Sequence, residues 1–236
     1  MDIERLRREF PARRIEYFPA VDSTMRAAVG LEPGFVVLAD RQTAGQGRLG
    51  RSWHSEPGSG IYCSIVLKPM PALTLALGLA TADAIARSTG IVCDLRWPND
   101  VMLGGKKVAG ILVQVANGNA IAGIGINVNQ TSFPEELASE ATSLRLHTDA
   151  PLSSTCILLH LLPAIDAFVE LDKETILRLF TRASSYAAGR RVTVAQPDGV
   201  IEGITAGLDP AGFLMVHKDD GTDTLIVAGG VRAAGS

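Results

Sequence analysis

Residues 123–129 read GIGINVN, and no other stretch limits the fold so tightly. Side chains alternate across a strand, so Gly123 and Gly125 strip one face bare while Ile124 and Ile126 keep the other face apolar. Something must come within contact distance of the bare backbone: a bulge, a tightly packed neighbouring strand, or a ligand. Such a strand needs a sheet. Residues 92–129 supply one as short β runs divided by the turn signals Pro98-Asn99-Asp100, Gly104-Gly105 and Asn117-Gly118-Asn119.

Around that sheet, residues 14–18, 34–39 and 61–67 read as further strands. Residues 71–89 have the alanine and leucine content of a buried helix that Gly90 stops, and 153–171 predict a helix that Pro163 should kink. Asp22-Ser23-Thr24 offers capping residues for a helix ending at Gly30, with free amides near Ser23 available to a ligand. Asp172 caps another helix, running to about residue 186. After Gly189 the pattern shifts to four or five short strands within the last 48 residues, separated by Pro-Asp-Gly, Asp-Pro-Ala-Gly and Asp-Asp-Gly turns. The division expected is therefore a larger unit at residues 1–187 and a small antiparallel barrel at 188–236.

Charge and cysteine usage exclude several classes of function. Lysine and arginine total 22 against 25 acidic residues, a net charge of -3, so there is no global footprint for nucleic acid or an anionic membrane. Any anion site must be local. Cys63, Cys93 and Cys156 are far apart among apolar neighbours and read as reduced core thiols of a cytoplasmic protein. The four histidines show no ligand spacing, so no metal site is assigned to the protein. The opening MDIERLRREF is charged and lacks the apolar segment of a secretory signal; accordingly the glycosylation pattern at Asn129 is set aside. No stretch reads as a membrane span.

Two segments offer a local anion site. The loop at residues 41–60, RQTAGQGRLGRSWHSEPGSG, combines Gly45, Gly47 and Gly50 with the fixed cations Arg48 and Arg51. It can wrap phosphates, although a solvated connection is the commoner role for such a loop, and it is not a Walker A loop. Trp53 beside it serves either to stack on a base or to pack the loop onto the core, and Trp97 is either core or pocket wall. The second segment is Lys106-Lys107, which follows a Gly-Gly turn and precedes an apolar run. A lysine pair there is an edge ornament or a cation waiting for an anion, and alternation sends the two to opposite faces.

GQGRLGRSW followed by SEPGSGIYCSIVL, then RWPNDVMLGGKKVAGIL, then GIGINVN, resembles the motif series of the biotin–protein ligases, also called biotin–[acetyl-CoA-carboxylase] ligases. The resemblance extends to the DST at residue 22 and to the terminal barrel. It implies an α+β fold, with a mixed-sheet catalytic domain of the class II synthetase-like biotin/lipoate ligase type and a small C-terminal Src-homology-3-like β-barrel. It implies an enzyme that forms biotinyl-5'-AMP from biotin and ATP with Mg2+, then transfers biotin to a lysine of a biotin carboxyl carrier protein. Family members are often homodimers, and no exposed apolar strip in this sequence identifies such an interface.

Residue by residue, the resemblance implies that Ser23, Thr24 and Gln42 hydrogen-bond the ureido head of biotin, with Gly45, Gly110, Gly123 and Gly125 lining its slot. Arg48, Arg51 and Lys107 take the carboxylate and phosphates, while Lys106 is solvated. Trp53 stacks on adenine, Asn99 and Asn127 lie near the nucleotide, and Asp100 orients the site or holds Mg2+ through water. Three positions depart from the family's pattern: Gln46 removes one loop charge, Arg96 replaces a frequent lysine, and Met25 stands where asparagine often follows Ser-Thr. Only about twenty residues precede Ser23, so the DNA-binding domain of the repressor-type members is not expected. A lipoate–protein ligase and a non-catalytic biotin-binding protein are the alternatives; the loop arginines, RWPND and Lys107 argue against them.

Overall fold

The computed structural model describes residues 1–196 and 199–234, so Pro197 and Asp198 of the expected Pro-Asp-Gly turn lie outside the described residues. The chain runs α1 (Ile3–Glu9), β1 (Ile15–Phe18), α2 (Thr24–Ala27), β2 (Val36–Ala39), β3 (Gly60–Leu67), α3 (Leu73–Thr89), β4 (Asp94–Arg96), β5 (Asp100–Leu103), β6 (Lys106–Ala116), β7 (Asn119–Asn127), α4 (Glu135–Ala138), α5 (Ser154–Val169) and α6 (Lys173–Ala183). Five strands follow: β8 (Ala188–Gln196), β9 (Gly199–Leu208), β10 (Leu214–Lys218), β11 (Asp223–Ile226) and β12 (Gly230–Ala233).

The first seven strands form one mixed sheet in the order β1-β2-β3-β7-β6-β5-β4, parallel between β1 and β2 and antiparallel elsewhere. Alternation gives its central strands two different faces. Ile61, Cys63 and Ile65 of β3, with Ile124 and Ile126 of β7, join the apolar side chains of α3 and α5 in the main core. Each of these isoleucines, fully buried, contributes about 1.5–3 kcal/mol of transfer free energy. The other face carries Ser64 and Tyr62 of β3 opposite Gly123 and Gly125 of β7. That face carries the cavity described below.

Local signals explain the helix ends. Gly90 adopts φ +76° and its N–H bonds to Ala86 O, closing α3, and Ser153 and Asp172 cap α5 and α6 by accepting from the amides of Cys156 and Thr175. Pro163 sits inside one continuous α5, whose inward side is buried against α3. The helix expected after Asp22 is shorter than the sequence suggests: α2 is a single turn, and Ser23 occupies the cap position without a side-chain capping bond. Asp22 accepts the Ser23 N–H instead, leaving the serine hydroxyl turned inward.

The last five strands form a separate antiparallel sheet in the order β11-β10-β9-β8-β12, giving the expected α+β class. Trp97 fastens this sheet to the larger one. It is 4% exposed and donates its indole N–H to Gly212 O at 2.9 Å, so it is a core residue at the junction. An ion pair of 2.5 Å between Arg232 of β12 and Glu140 adds a second tie. Among the described residues, no helix is long and apolar enough to cross a membrane.

Candidate active site

Three successive cross-strand rows build a floor on the open sheet face. Ser64, Gly123 and Leu112 form the first, Tyr62, Gly125 and Gly110 the second, and Gly60 with Asn127 the third. Rows on one face lie about 7 Å apart, two residues of strand rise. The glycines keep the floor thin. A Cβ on Gly125 would stand 2.6 Å from Trp53 Cζ2, and one on Gly110 would stand 2.7 Å from Lys107 Cε, so both glycines are filled over by the side chains of Trp53 and Lys107.

At the inner end, Ser23, Thr24 and Gln42 converge. Thr24 Oγ1 lies 2.8 Å from Ser64 Oγ and donates to Gln42 Oε1 at 3.1 Å, and the Thr24 amide donates to the same oxygen at 2.9 Å. Ser23 is 1% exposed, and its hydroxyl has no partner among the described residues. A buried hydroxyl without a partner is costly and points to a polar ligand atom there. Together these groups offer both donors and an acceptor.

At the outer end stand the cations. Lys107 Nζ lies 2.5 Å from Asp100 Oδ1 and 5.4 Å from the Trp53 ring centroid. Asp100 also accepts from Arg96 at 2.8 and 3.2 Å. Burial alone would raise the Asp100 pKa, but Lys107 and Arg96 outweigh it and hold the carboxyl below its ordinary value. Arg48 donates to Asn99 Oδ1 at 3.1 Å, while Asn99 donates in turn to Ile111 O at 2.9 Å, so the loop arginine is pinned to the sheet edge. Burial pulls the Arg48 pKa down, yet a guanidinium stays charged at neutral pH.

Two cavities meet at this point. The inner one, about 40 Å3, is lined by Ser23, Thr24, Gln42, Gly110, Gly123 and Gly125 and reaches Arg48 and Lys107. The outer one, about 180 Å3, is lined by Arg48, Arg51, Trp53, Asn99, Asp100, Lys107 and Asn127. The shared wall is Gly47, Arg48, Trp53, Asn99 and Lys107. Trp53 is half-buried there, and its indole N–H is without a partner among the described residues.

Most of the residues singled out in the sequence therefore come together, with three differences. Gly45 does not line the inner cavity: it sits behind Gln42, where a Cβ would stand 2.7 Å from Trp53 O. Arg51 is exposed and reaches only the outer space. Lys106 is not simply solvated, because its ammonium donates to Ala138 O at 2.6 Å. Sequence reasoning missed Phe133, Leu137, Glu140 and Ala141, which line the outer cavity from a segment without any motif, and Gly229 and Gly230, contributed by the small sheet. It also missed Ser64, whose only signal was its alternation with Tyr62. No group of three or more potential metal ligands occurs among the described residues.

Comparison with known proteins places this arrangement. Residues 17–130 match the Biotin/lipoate A/B protein ligase family, and residues 188–231 match the Biotin protein ligase C terminal domain. The chain is 36% identical over 223 residues to the biotin–[acetyl-CoA-carboxylase] ligase of Mycobacterium tuberculosis, covering 89% of this chain and 82% of that one. It is 31% identical over 237 residues to the bifunctional ligase/repressor BirA of Bacillus subtilis, covering 92% and 73%. Among solved structures, the biotin protein ligase of Aquifex aeolicus in complex with biotin and ATP superposes with a TM-score of 0.85 at 32% identity, covering 94% of this chain and 99% of that one.

Proposed function

Because the chain belongs to the biotin/lipoate A/B protein ligase family, we propose that it is an ATP-dependent biotin–protein ligase, which activates biotin as biotinyl-5'-AMP and transfers it to a lysine of a biotin carboxyl carrier protein. The observation that carries this reading is the glycine-floored cavity that ends on Lys107 and Arg48 and opens there into a second, larger cavity. Ser23, Thr24 and Gln42 bind the ureido head, and Gly110, Gly123 and Gly125 keep the sheet beneath the ring and chain free of side chains of its own. Asn127, Asn99 and Trp53 hold the nucleotide.

In the first step a biotin carboxylate oxygen attacks the α-phosphorus. The new oxygen–phosphorus bond forms as the bond to the β-phosphate breaks, and pyrophosphate leaves. Both reactants are anions, so the barrier falls when fixed cations face the charge that develops between them. Lys107 and Arg48 supply those cations, held in advance by Asp100 and Asn99. In the second step the carrier lysine amine attacks the acyl carbon, the carbon–oxygen bond to AMP breaks, and the amine's surplus proton is released. Arg51, exposed at the rim, screens the departing phosphates.

Magnesium enters as part of the nucleotide substrate. The two acidic residues of the outer cavity are already paired, Asp100 with Lys107 and Arg96 and Glu140 with Arg232, and do not fit a resident metal. Asp100 can still meet a hydrated ion through water. Residues 1–187 act as the catalytic unit and 188–236 as a small accessory domain, and we place the protein in the cytoplasm, where Cys63, Cys93 and Cys156 stay reduced. Pyrophosphate exchange with biotin and with lipoate tests the function: exchange with biotin alone is expected, lipoate-dependent exchange would make it a lipoate ligase, and none with either would make it a binding protein.

A further inference from the structure

Met25 is one of the departures from the motif series that line the inner cavity, and its surroundings give it a task. The open sheet face continues inward past the Ser64–Gly123 row to Val66 and Ile121, which with Met25, Ala28 and Val37 form a small apolar cluster beneath α2. Met25 stands where that cluster meets the inner cavity. It is 5% exposed, it lines the cavity, and its thioether covers Gly123: a Cβ there would stand 2.7 Å from Met25 Sδ and 2.9 Å from Cγ.

The inner cavity is small, about 40 Å3, so its walls decide what can enter. A bulkier ring is accepted only where a wall can give way. Most of the inner wall cannot. The floor is hydrogen-bonded strand, and Thr24, Ser64 and Gln42 are tied to one another. Trp53 lies over Gly125 and Gly110, one row nearer the cations and away from the Ser64–Gly123 row. Methionine at the inner end is unbranched and polarizable, with three rotatable bonds, so its thioether can change rotamer at small cost.

We propose that Met25 is the specificity-determining wall of the inner cavity, its thioether setting how bulky a fused ring the enzyme accepts. This rests on the biotin reading of the same site. The experiment is calorimetric titration of the wild type and of Met25→Ala, Met25→Leu, Gly123→Ala and the Gly123→Ala/Met25→Ala double variant with biotin and with biotin sulfone, whose ring sulfur carries two added oxygens. Thermal unfolding of each confirms that it is folded.

Met25→Ala should shift the sulfone-to-biotin affinity ratio at least tenfold toward the sulfone, while Met25→Leu, of similar volume, keeps the wild-type ratio. Gly123→Ala places a methyl group where the thioether lies and should weaken biotin at least tenfold; removing the thioether in the double variant should restore most of that loss. An unchanged ratio in Met25→Ala, or losses that simply multiply in the double variant, would overturn the assignment of Met25. Failure of the wild type to bind biotin would instead overturn the functional reading beneath it.

Discussion

Replacing Lys107 by alanine removes a full charge from the point where the two cavities meet. Two unit charges 4 Å apart interact by about 4 kcal/mol at an effective dielectric constant of ~20. The resting ammonium is already partly neutralised by Asp100 at 2.5 Å, so its net effect on the reacting anions is smaller. Loss of one preorganised donor of this type raises a barrier by about 3 kcal/mol, or about 150-fold in rate. Biotin-dependent pyrophosphate exchange at saturating substrates measures that loss directly. Folding should survive, because Asp100 keeps its two bonds from Arg96. The variant has a second signature. Asp100 titrates below its ordinary 3.8, so it stabilises the fold above that pH and the benefit is lost as pH falls through the lowered value. Without Lys107, burial pushes that pKa back up, and acid unfolding should begin at higher pH. Exchange within about threefold of wild type in a folded Lys107→Ala protein would refute the role of the cation.

Three further outcomes follow from the same geometry. Arg48→Ala frees Asn99 and opens the loop over the intermediate, so biotinyl-AMP should leak into solution faster, as followed by chromatography of the released adenylate; unchanged leakage would make the loop a mere connection. Gly125→Ala drives a methyl group against the Trp53 ring and should cost about 1–3 kcal/mol in biotin binding by calorimetry. Trp97→Phe loses the bond to Gly212 O and should lower stability by about 1 kcal/mol in denaturant unfolding while sparing exchange activity, since the ring lines neither of the two cavities that meet at Lys107.

Local signals carried much of this site into the sequence. GIGINVN announces a bare strand face because glycine and isoleucine alternate with the pleat, and Gly90, Ser153 and Asp172 mark helix ends by chemistry that acts within a few residues. What the sequence hid is non-local. Glu140 and Ala141 reach the outer cavity because their segment hydrogen-bonds back along β6, with Lys107 donating to Glu140 O and Thr142 donating to Lys107 O. Gly229 and Gly230 reach it only because the small sheet docks through Trp97 and Arg232. Ser64 is one polar residue inside an apolar strand, and it acquires meaning only when Thr24 is brought to 2.8 Å.

The placement of Lys107 shows why motif and register must be considered together. Gly110 and Leu112 share the open face with Gly123 and Gly125, so strict alternation would turn residue 107 the other way, toward the core. The pairing of β5 with β6 breaks this rule: Val101 faces Ala109 and Met102 faces Lys107, leaving Val108 as one extra residue on β6. Such a bulge shifts the side-chain phase by one position. Lys107 then runs over Gly110 into the cavity, and Lys106 diverges to Ala138 O. The run Lys-Val-Ala-Gly therefore specifies more than composition. It fixes the distance along the strand between a cation and the bare backbone it must cross, and an insertion or deletion of one residue between 107 and 110 would send the ammonium to the wrong face while leaving every motif residue present.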